Sequence, residues 1–455
     1  MTEFERAVLL DLKQNLQIRE RDVALAGTGS SLVRTESGAA PKIEVALLTG
    51  GIDKHYTFGL AMELLSKGAS LDVIGSDTLD DPEFHGKARL RFLNLQGSQR
   101  ADVSLVRKVM RLLMYYARLA RYAATAKPKI FHILWNGKFE IFDRMVLTPF
   151  FRLLGKTIVL TVHNVNAGRR DSKDTRLNRL SLRTQYRRAD CLFVHTEKMK
   201  RELCEEFGVQ EAAVTVIPFG INNAIPNTRL SQSEARQRLG IDDAKKTILF
   251  FGRIAPYKGL EYLVAAFQQL LAQHHDYNLI IAGRPENSAQ AYWNAIRKEI
   301  QDEISNGRVI VRADHIPDNE TELYFKAADV LVLPYRHIYQ SGILFLGYSF
   351  GLPILASDVG SLKDDIIGGE TGFVFKAGDA VDLAGTIERY FASDLFANLN
   401  ARRQQIRDFA AKRHSWDEVG QITMAAYANL LRVPSAVQLP PAEQAKASIN
   451  MRDHS

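Results

Sequence analysis

Two series of short apolar runs, each alternating with helical patterns, constrain the fold of this chain more than any other feature. Continuous runs rich in β-branched residues are typical of strands in a parallel sheet, where helices cover both faces. The predicted strands are residues 43–49, 71–74, 130–135, 157–162, 191–195 and 214–218 in one series, and residues 247–251, 278–282, 308–311, 330–333, 353–356 and 372–375 in the other. The sequence therefore predicts an α/β protein with two doubly wound domains.

The composition of the intervening segments predicts the domain boundaries. We expect an N-terminal extension and linker at residues 1–40, a first domain at 41–222, a second domain at 223–415, a C-terminal helix at 416–432 and a flexible tail at 433–455. The tail is rich in Pro, Ala, Gln and charged residues, a composition that disfavours a packed core. Two doubly wound domains in series predict a ligand-binding cleft between them.

Targeting signals and cysteine usage indicate the compartment. The chain has no apolar run of about eighteen residues or more, so we expect no spanning helix. Its N-terminus lacks a basic start followed by an apolar run, so we expect no secretory signal. The two cysteines, Cys191 and Cys204, are too few for a disulfide framework and lack zinc-ligand spacing. Together these features predict a cytoplasmic protein.

The strongest local motif is the segment 252–259, GRIAPYKG, in which a predicted strand is followed by a glycine turn and a helix start. Arg253 and Lys258 would lie at the carboxyl end of that strand beside a helix N-terminus, where cations and backbone N–H groups bind phosphates. Such groups would also stabilise a diphosphate that leaves with growing negative charge. The alternative is a pair of solvated surface cations, which the adjoining turn and helix disfavour.

Two other glycine-containing turns are candidates for phosphate contact. The segment 340–344, QSGIL, leads into an apolar helix, so its backbone N–H groups could hold phosphate oxygens; the alternative is an ordinary strand–helix turn. Gly50 and Gly51 precede the first predicted helix and would let the backbone approach a ligand closely. The three-glycine fingerprint of dinucleotide sites and the Gly-Lys-[Ser/Thr] sequence of P-loops are both absent, which argues against nicotinamide cofactors and P-loop chemistry.

Two histidines follow predicted strands of the first domain. His163 follows the strand at 157–162 and would project into the cleft, where it could contact a sugar or share charge with the reacting centre. The alternative for His163 is a purely structural role. For His195, at the end of the next predicted strand, we expect that structural role.

Together these motifs resemble glycosyltransferase family 4, the retaining nucleotide-sugar transferases of the GT-B fold. The resemblance covers about residues 42–431. Its most specific parts are the Gly-Arg-x-x-x-x-Lys-Gly segment, Ile281-Ala282-Gly283, His315-Ile316-Pro317 and Gly351-Leu352-Pro353. It implies two Rossmann-like domains facing each other across a cleft, and a donor in which a nucleoside diphosphate carries a hexose.

The resemblance also implies roles for individual residues. Arg253 and Lys258 would bind the donor diphosphate and His163 would contact the donor hexose, so these three are the expected catalytic residues. The other expected donor contacts are Gly50 and Gly51 against the phosphates, Gly283, Arg284 and Ile316 beside the base, and the backbone N–H groups of Gln340, Ser341, Gly342, Ile343 and Leu344 on the phosphates.

One part of the family pattern is missing. The family usually has two glutamates separated by seven residues, the first contacting the donor sugar and the second the ribose hydroxyls. Here those positions hold Ile338 and Leu346, and no acidic residue occurs between Pro334 and Pro353. Gln340 and Ser341 could replace one glutamate with neutral hydrogen bonds, which lack a charge-assisted contribution on the order of 1 kcal/mol. The pattern predicts a divergent subgroup.

A basic helix in the first domain predicts an anionic partner. Residues 86–129 contain eleven Lys or Arg and one acidic residue. Within them, a predicted helix at 102–125 carries Arg107, Arg111, Arg118 and Arg121 on one side and Leu105, Val109, Leu112, Leu113 and Tyr116 on the other. The helix either meets an anionic membrane surface or packs one face on the core and leaves the other in solvent. We expect no nucleic-acid partner, because no recognised binding module surrounds the patch.

The sequence thus predicts a hexosyltransferase that uses a nucleotide-diphosphate sugar and a glycan or lipid-linked acceptor, in surface polysaccharide or glycolipid synthesis at the inner face of the cell membrane. We expect no cofactor and no metal, because two cations supply positive charge and no Asp-x-Asp cluster lies near the cleft segments. The alternatives are a non-catalytic GT-B protein that binds glycans or a membrane surface, and a GT-B epimerase, which would need an acid–base pair in the cleft.

Overall fold

The computed structural model describes residues 42–51, 53–99, 104–171, 173–221 and 225–431. The predicted N-terminal extension at 1–40 and the predicted tail at 433–455 lie outside the described residues, as do residues 222–224 at the predicted domain boundary.

The first domain is built on a seven-stranded sheet in the order β3-β2-β1-β4-β5-β6-β7. Its strands are β1 Glu44–Leu48, β2 Ser70–Gly75, β3 Leu90–Asn94, β4 Ile130–Ile133, β5 Thr157–Thr161, β6 Cys191–Val194 and β7 Val214–Val216. All neighbouring strands run parallel. Six of them correspond to predicted runs. The edge strand β3 was not predicted, because its sequence LRFLN buries only Leu90 fully and alternates with polar residues.

The second domain contains a six-stranded parallel sheet in the order β10-β9-β8-β11-β12-β13. Its strands are β8 Lys246–Phe251, β9 Tyr277–Ala282, β10 Val309–Arg312, β11 Val330–Leu333, β12 Ile354–Ser357 and β13 Gly372–Phe375. All six correspond to predicted runs. The strands β8, β9, β11 and β12 are almost entirely buried, as expected of parallel strands covered by helices on both faces. The predicted α/β class with two doubly wound domains is confirmed.

Helices cover both sheets. They are α1 Lys54–Ser66, α2 Leu105–Thr125, α3 Glu140–Phe142, α4 Thr148–Leu153, α5 Ala167–Arg170, α6 Arg176–Tyr186, α7 Glu197–Phe207, α8 Gln232–Leu239, α9 Leu260–Gln273, α10 Gln290–Glu299, α11 Gln301–Ser305, α12 Asp318–Ala327, α13 Gly342–Ser349, α14 Ala380–Phe391, α15 Asp394–Ala397, α16 Leu399–Arg413 and α17 Trp416–Leu430. A π-helical segment, Asp143–Leu147, joins α3 to α4.

The last helix, α17, follows the second domain in sequence but packs on the first. Trp416 lies so close to α1 and the connecting segment that a Cβ at Gly59 would be 2.2 Å from its ring and one at Gly220 would be 2.4 Å away. The Trp416 indole donates to the carbonyl of Ile221 at 2.9 Å. Further along, the Tyr427 hydroxyl lies 2.6 Å from Nδ1 of His132 in β4. The helix therefore ties the two domains together.

Candidate active site

A cavity of about 920 Å³ lies between the two domains. Its lining includes Asp53, His55 and Tyr56 from the first domain, Phe219 and Gly220 from the connecting segment, and Gly252, Arg253, Arg284, Glu286, His315, Ile316, Asp318, Gly342, Ile343 and Leu346 from the second domain. We call it the cleft cavity. Five residues predicted to bind the donor meet there: Arg253, Arg284, Ile316, Gly342 and Ile343.

The turn after β8 places Arg253 in the lining of the cleft cavity and Lys258 just behind that lining, next to Gly252. Gly252 has φ 101°, a conformation that favours glycine, and a Cβ there would lie 3.1 Å from Nζ of Lys258 and 3.4 Å from Cδ1 of Ile343. The Arg253 side chain is 68% exposed and pairs with Glu286 at 3.4 Å. Lys258 ends a short 3₁₀ turn, Pro256–Lys258, directly behind Gly252. The two predicted cations and the start of α13 therefore lie side by side.

The ammonium of Lys258 is buried and has no acidic partner within ion-pair distance among the described residues. Its Nζ lies 5.1 Å from the ring centroid of Tyr335, a cation–π contact. Burial lowers the pKa of Lys258, and the charge of Arg253 contributes to the lowering. A desolvated cation of this kind is costly in the free protein and favours an anionic ligand.

The start of α13 provides backbone donors but fewer than predicted. Gly342 and Ile343 lie in the first helical turn, where N–H groups have no intrahelical acceptor, and both border the cleft cavity. The N–H of Leu344, by contrast, donates to the Ser341 carbonyl at 3.1 Å, so this predicted phosphate donor is already engaged within the protein. Its side chain is fully buried in the core of the second domain.

The proposed neutral replacement for the missing glutamates is not supported by the side-chain positions. The Ser341 hydroxyl donates to the Tyr335 hydroxyl at 3.3 Å, and neither Ser341 nor Gln340 lines the cleft cavity. Gln340 instead lies beside the buried carboxyl of Asp365. Leu346, which stands where the family has its ribose-binding glutamate, does line the cavity and presents an apolar side chain to it. The directions of the Gln340 and Ser341 side chains depend on packing against distant segments, which the local sequence does not indicate.

The turns after β9 and β10 also border the cleft cavity. Gly283 has φ 142°, and a Cβ there would lie 2.0 Å from the carbonyl oxygen of Gly252, so the two turns pack together only with glycine at this position. Arg284 and Ile316 border the cavity, with Arg284 exposed and Ile316 buried. Gly283 therefore allows the turn that carries Arg284 to pack against the turn that carries Arg253.

Gly50 and Gly51 are not brought to the cleft cavity. Gly50 has φ 61° and packs so that a Cβ would lie 2.5 Å from the carbonyl oxygen of Asn136. Gly51 has φ 78°, and its Cβ would lie 2.3 Å from Oε1 of Gln96. Positive φ angles and close packing within the first domain account for both glycines, and their expected contact with donor phosphates has no counterpart in the lining of the cleft cavity.

His163 lies one ring behind the cleft cavity. Its imidazole stacks on Trp135 at 4.2 Å and meets Tyr56, which lines the cleft cavity, edge-on at 4.8 Å. Nδ1 of His163 is 3.1 Å from Nε2 of His195, whose Nδ1 is 3.4 Å from the Ile217 carbonyl. Burial lowers the pKa of His163 well below its usual value and that of His195 to about 4, so both are neutral at pH 7.

These contacts set the tautomer of His163. Because a carbonyl can only accept, His195 carries its proton on Nδ1 and accepts through Nε2 from Nδ1–H of His163. The remaining nitrogen, Nε2 of His163, is then an unprotonated acceptor, and it has no hydrogen-bond partner among the described residues. The sequence predicted a structural His195, and the structure adds that it orients the predicted site residue His163.

A second cavity, of about 600 Å³, opens at the carboxyl ends of β4 and β5 and reaches His163. We call it the head cavity. The side chains of Asn136 and Gln185 exchange two amide hydrogen bonds, of 3.1 and 2.7 Å, in its wall. Arg144, which is buried, donates to Asn178 at 3.1 Å and pairs with Glu140. The head cavity thus offers rigid polar groups in the first domain, next to the cleft cavity.

Two contacts across the cleft were not predicted. His55 of the first domain pairs with Asp318 of the second at 3.3 Å, and this hydrogen bond lowers the pKa of Asp318. The guanidinium of Arg170 lies 4.5 Å from the ring centroid of Tyr257, adjacent to Lys258. No local sequence signal could identify either pair, because the partners belong to different domains.

Helix α2 carries the predicted arginine patch, but its apolar side is largely in solvent. Only Leu119 and Ala123 of this helix are buried, whereas Leu105 and Val106 are 76% and 75% exposed. The alternative of a surface helix packing its apolar face on the core is therefore wrong for the first half of α2. That half also exposes Val109, Met110, Leu113 and Met114.

The four predicted arginines are divided between two places. Arg107 is exposed on the first half of α2, and Arg111 donates to the carbonyl of Ser98. Arg118 and Arg121 border a groove of about 770 Å³ that also contains Asp72 and Arg91. In that groove Asp72 accepts hydrogen bonds from Arg91, at 2.9 and 2.5 Å, and from Tyr122 at 2.6 Å.

Within the part of the chain that the structure describes, no helix is long and apolar enough to cross a bilayer. The same residues contain no group of three or more His, Cys, Asp and Glu side chains placed to hold a metal ion.

Comparison with known families matches both domains. The model described as Glycosyltransferase Family 4 matches residues 50–224, and the model described as Glycosyl transferases group 1 matches residues 231–413. The first matched region ends and the second begins near residues 222 and 223, where the sequence predicted the boundary between the two domains.

Similar proteins carry related names. A D-inositol 3-phosphate glycosyltransferase of Acidothermus cellulolyticus is 28% identical over 250 residues, covering 53% of this chain and 54% of that protein. The lipopolysaccharide core biosynthesis mannosyltransferase LpsB of Rhizobium meliloti is 27% identical over 225 residues, covering 48% of this chain and 61% of that protein. The chain therefore spans little more than half the length of these relatives.

Solved structures share the fold at low identity. Sucrose-phosphate synthase from Thermosynechococcus elongatus aligns with a TM-score of 0.68 at 21% identity, over 86% of this chain and all of that one. HepE of Anabaena, in complex with UDP and glucose, aligns with a TM-score of 0.67 at 15% identity, over 85% of this chain and all of that one.

Proposed function

The chain belongs to the group 1 glycosyltransferases, and we propose that it transfers a hexose from a nucleotide-diphosphate sugar to a glycan or lipid-linked acceptor, with retention of the anomeric configuration. The second domain holds the donor and the first holds the acceptor. A role in surface polysaccharide or glycolipid synthesis is supported by the name of the relative that builds lipopolysaccharide core.

The observation that carries this proposal is the buried, unneutralised ammonium of Lys258 beside Arg253 and the start of α13. As the bond between sugar and diphosphate breaks, negative charge grows on the leaving phosphate. A preorganised cation in a dry site stabilises that charge more strongly than water does. The N–H groups of Gly342 and Ile343 add two dipoles at the same place. We propose that these groups meet the charge of the diphosphate without a metal ion or cofactor.

The acceptor hydroxyl attacks from the face that the diphosphate leaves, and its proton passes to the departing phosphate oxygen as the glycosidic bond forms. In this arrangement the acceptor enters through the head cavity, which reaches His163, while the hexose lies between His163 and the phosphate end of the cleft cavity. The unprotonated Nε2 of His163 accepts a hydrogen bond from a hexose hydroxyl. Its low pKa keeps it neutral, so it orients the sugar without adding charge.

The test is turnover of a panel of UDP-, GDP- and ADP-hexoses, with hydrolysis to nucleoside diphosphate as the readout when no acceptor is supplied. We expect at least one donor to be hydrolysed, and Arg253→Ala and Lys258→Ala each to lower the rate by about tenfold or more. Lys363→Met, at an exposed lysine of the same domain, is the matched control and should have no effect. Unchanged rates in both site variants would refute the phosphate assignment.

The same panel separates two alternatives. Leu346 in the position of a family glutamate favours a non-catalytic glycan-binding or membrane-binding protein, which would bind a donor without turning it over. An epimerase would need acid–base groups in the cleft, and Asp53, His55, Glu286 and Asp318 do line it. Epimerisation would convert the donor into a second nucleotide-sugar and release no nucleoside diphosphate.

We also propose that the protein works at the inner face of the cell membrane, attached through α2. Exposed apolar residues beside cations favour an interfacial helix on anionic lipid. Sedimentation with vesicles of phosphatidylglycerol should weaken when Arg107, Arg111, Arg118 and Arg121 are replaced by Gln, and equal sedimentation of this variant would refute the electrostatic part. Gln substitution of Arg118 and Arg121 alone shows whether the groove near Asp72 contributes.

A further inference from the structure

The exposed apolar side chains of the described residues concentrate in one part of the first domain. Of seventeen large apolar residues that are exposed, fifteen lie between Leu105 and Leu180. Six of them belong to the first half of α2, and Phe139, Ile141 and Phe142 lie at α3, which contacts α2 through Tyr116 and Phe142 at 4.9 Å between ring centroids. We call these nine residues the apolar face. A patch of this kind marks an interaction site.

A third cavity lies directly beneath the apolar face. It has a volume of about 390 Å³ and is lined by Gly50, Gln96, Gln99, Leu105, Lys108, Val109, Arg111, Leu112, Tyr115, Gly137, Lys138 and Phe139. We call it the tail cavity. Its size lies within the range of small-molecule sites. Its walls contain apolar side chains, three cations and no acidic residue, so it suits a molecule that is both apolar and anionic.

Lys138 and Phe139 are shared by the tail cavity and the head cavity. The two cavities are therefore neighbours, divided by one ammonium and one ring. Lys138 is exposed, and no acidic partner lies within ion-pair distance of it among the described residues. On the head side of this divide are polar groups and His163, and on the tail side are the apolar residues of α2. An acceptor with a hydrocarbon chain, a phosphate and a polar head matches that order.

We infer that the acceptor is a lipid-borne phosphate whose hydrocarbon chain occupies the tail cavity, whose phosphate binds Lys138 and whose polar head lies in the head cavity. The inference rests on the proposed function, because the head cavity is assigned there to the acceptor. The apolar face lies in the bilayer surface and lets the chain pass from the membrane into the tail cavity. A protein partner or a second copy would need no cavity beneath the helix.

The test measures binding to the full chain by isothermal titration calorimetry, with dodecyl phosphate below its critical micelle concentration as the probe. We expect dodecyl phosphate to bind at least about a hundredfold more tightly than inorganic phosphate, because the chain adds apolar burial. Equal affinity of the two probes would overturn the tail assignment.

Two variants test where the hydrocarbon chain of the probe binds. Val109→Trp places a bulky ring in the tail cavity, and Met110→Trp places the same ring on the apolar face outside the cavity lining. Both residues are exposed, so both variants should fold, as circular dichroism will verify. We expect Val109→Trp to weaken dodecyl phosphate binding by about tenfold or more and Met110→Trp to change it by less than about twofold. Equal weakening by both variants would mean that amphiphiles bind on the surface of the apolar face and not in the tail cavity. That result would refute the proposed role of the tail cavity.

A third variant locates the phosphate. Lys138→Gln should weaken dodecyl phosphate by about tenfold while leaving dodecyl maltoside, a neutral probe, within about twofold. Parallel loss of both probes, or of neither, would overturn the role of Lys138. Met110→Trp lies outside the linings of the tail, head and cleft cavities, so nucleotide binding and donor hydrolysis should be unchanged in this variant. Donor hydrolysis without dodecyl phosphate binding would refute this inference alone, whereas absence of nucleotide binding would refute the proposed function.

Discussion

Replacing Lys258 with Met tests whether the free protein carries an unneutralised cation for the sake of a ligand. Methionine has a similar length and no charge, so it can fill the space near Tyr335. Because the ammonium is buried without an acidic partner among the described residues, we expect the free energy of unfolding of the nucleotide-free protein to stay equal or rise. Burial also lowers the pKa of Lys258, which has the same sign because it disfavours the charged form of the side chain.

For the complex with a nucleoside diphosphate, we expect Lys258→Met to lower the free energy of unfolding. A charge-assisted hydrogen bond to a phosphate contributes about 1.5–3 kcal/mol, so its loss should weaken nucleoside diphosphate binding by about ten- to 150-fold. At a nucleotide concentration 100 times the wild-type Kd, binding stabilises the wild type by about 2.7 kcal/mol. A variant that binds about a hundredfold more weakly gains only about 0.4 kcal/mol at the same concentration.

The assay is urea unfolding followed by circular dichroism, with and without UDP, GDP or ADP. Lys363→Met is the control. This lysine is exposed, so its replacement should change neither the free energy of unfolding without nucleotide nor the stability gained from nucleotide. A Lys258→Met protein could instead be less stable than wild type without nucleotide and gain as much stability from nucleotide as wild type does. That result would refute the assignment of the Lys258 ammonium to the nucleotide diphosphate.

Four further predictions concern other parts of the molecule. Burial raises the pKa of Asp365 to about 6, so the stability that its protonated form contributes is present below pH 4 and is lost as pH rises through 6. The free energy of unfolding of Asp365→Asn should therefore rise relative to that of wild type by up to about 3 kcal/mol between pH 4 and 7. A difference between the two proteins that does not change with pH would contradict this. Leu346→Glu should raise the preference for a nucleoside diphosphate over its 2′-deoxy form by about tenfold in calorimetry, since a carboxylate would then face the ribose; an unchanged preference would place the ribose elsewhere. His195→Phe should raise the pKa of His163 in NMR titrations, because the neighbouring imidazole contributes to its lowering. Gly59→Ala should lower thermal stability by about 1–3 kcal/mol, because its methyl group would overlap the Trp416 ring, and a neutral result would show that α17 can shift away.

The fold was predictable to the extent that burial dominates each element. Strands β8 and β11 are covered on both faces, so their apolar runs identify them without reference to the rest of the chain. Strand β3 lies at a sheet edge, where Arg91 is exposed, and its mixed sequence resembles the basic segment around it. Likewise α2 reads as amphipathic from its sequence, but only the structure shows that none of the described elements covers the apolar side of its first half.

The candidate site was predictable where its chemistry is carried by contiguous residues. Arg253 and Lys258 share one turn, so their proximity follows from the sequence once the strand and helix are assigned. His55 and Asp318 belong to different domains, and their contact depends on how the domains close. Gly50 and Gly51 were expected to contact donor phosphates, but both pack closely within the first domain. Glycine suits close packing within a domain and close approach to a ligand equally well, so the residue type alone does not distinguish the two roles.

Arg253 and Lys258 are chemically similar but occupy very different environments, and this difference separates their roles. Arg253 is 68% exposed and shares its charge with Glu286, so water and a carboxylate weaken its field at the leaving phosphate. Lys258 is buried and has no carboxylate within ion-pair distance among the described residues, and the ring of Tyr335 partly replaces the lost hydration. We therefore propose that the exposed arginine attracts the donor from solution and that the buried lysine stabilises the departing charge. Gly252 makes this arrangement possible, since any side chain at that turn would stand between the ammonium and the cleft cavity.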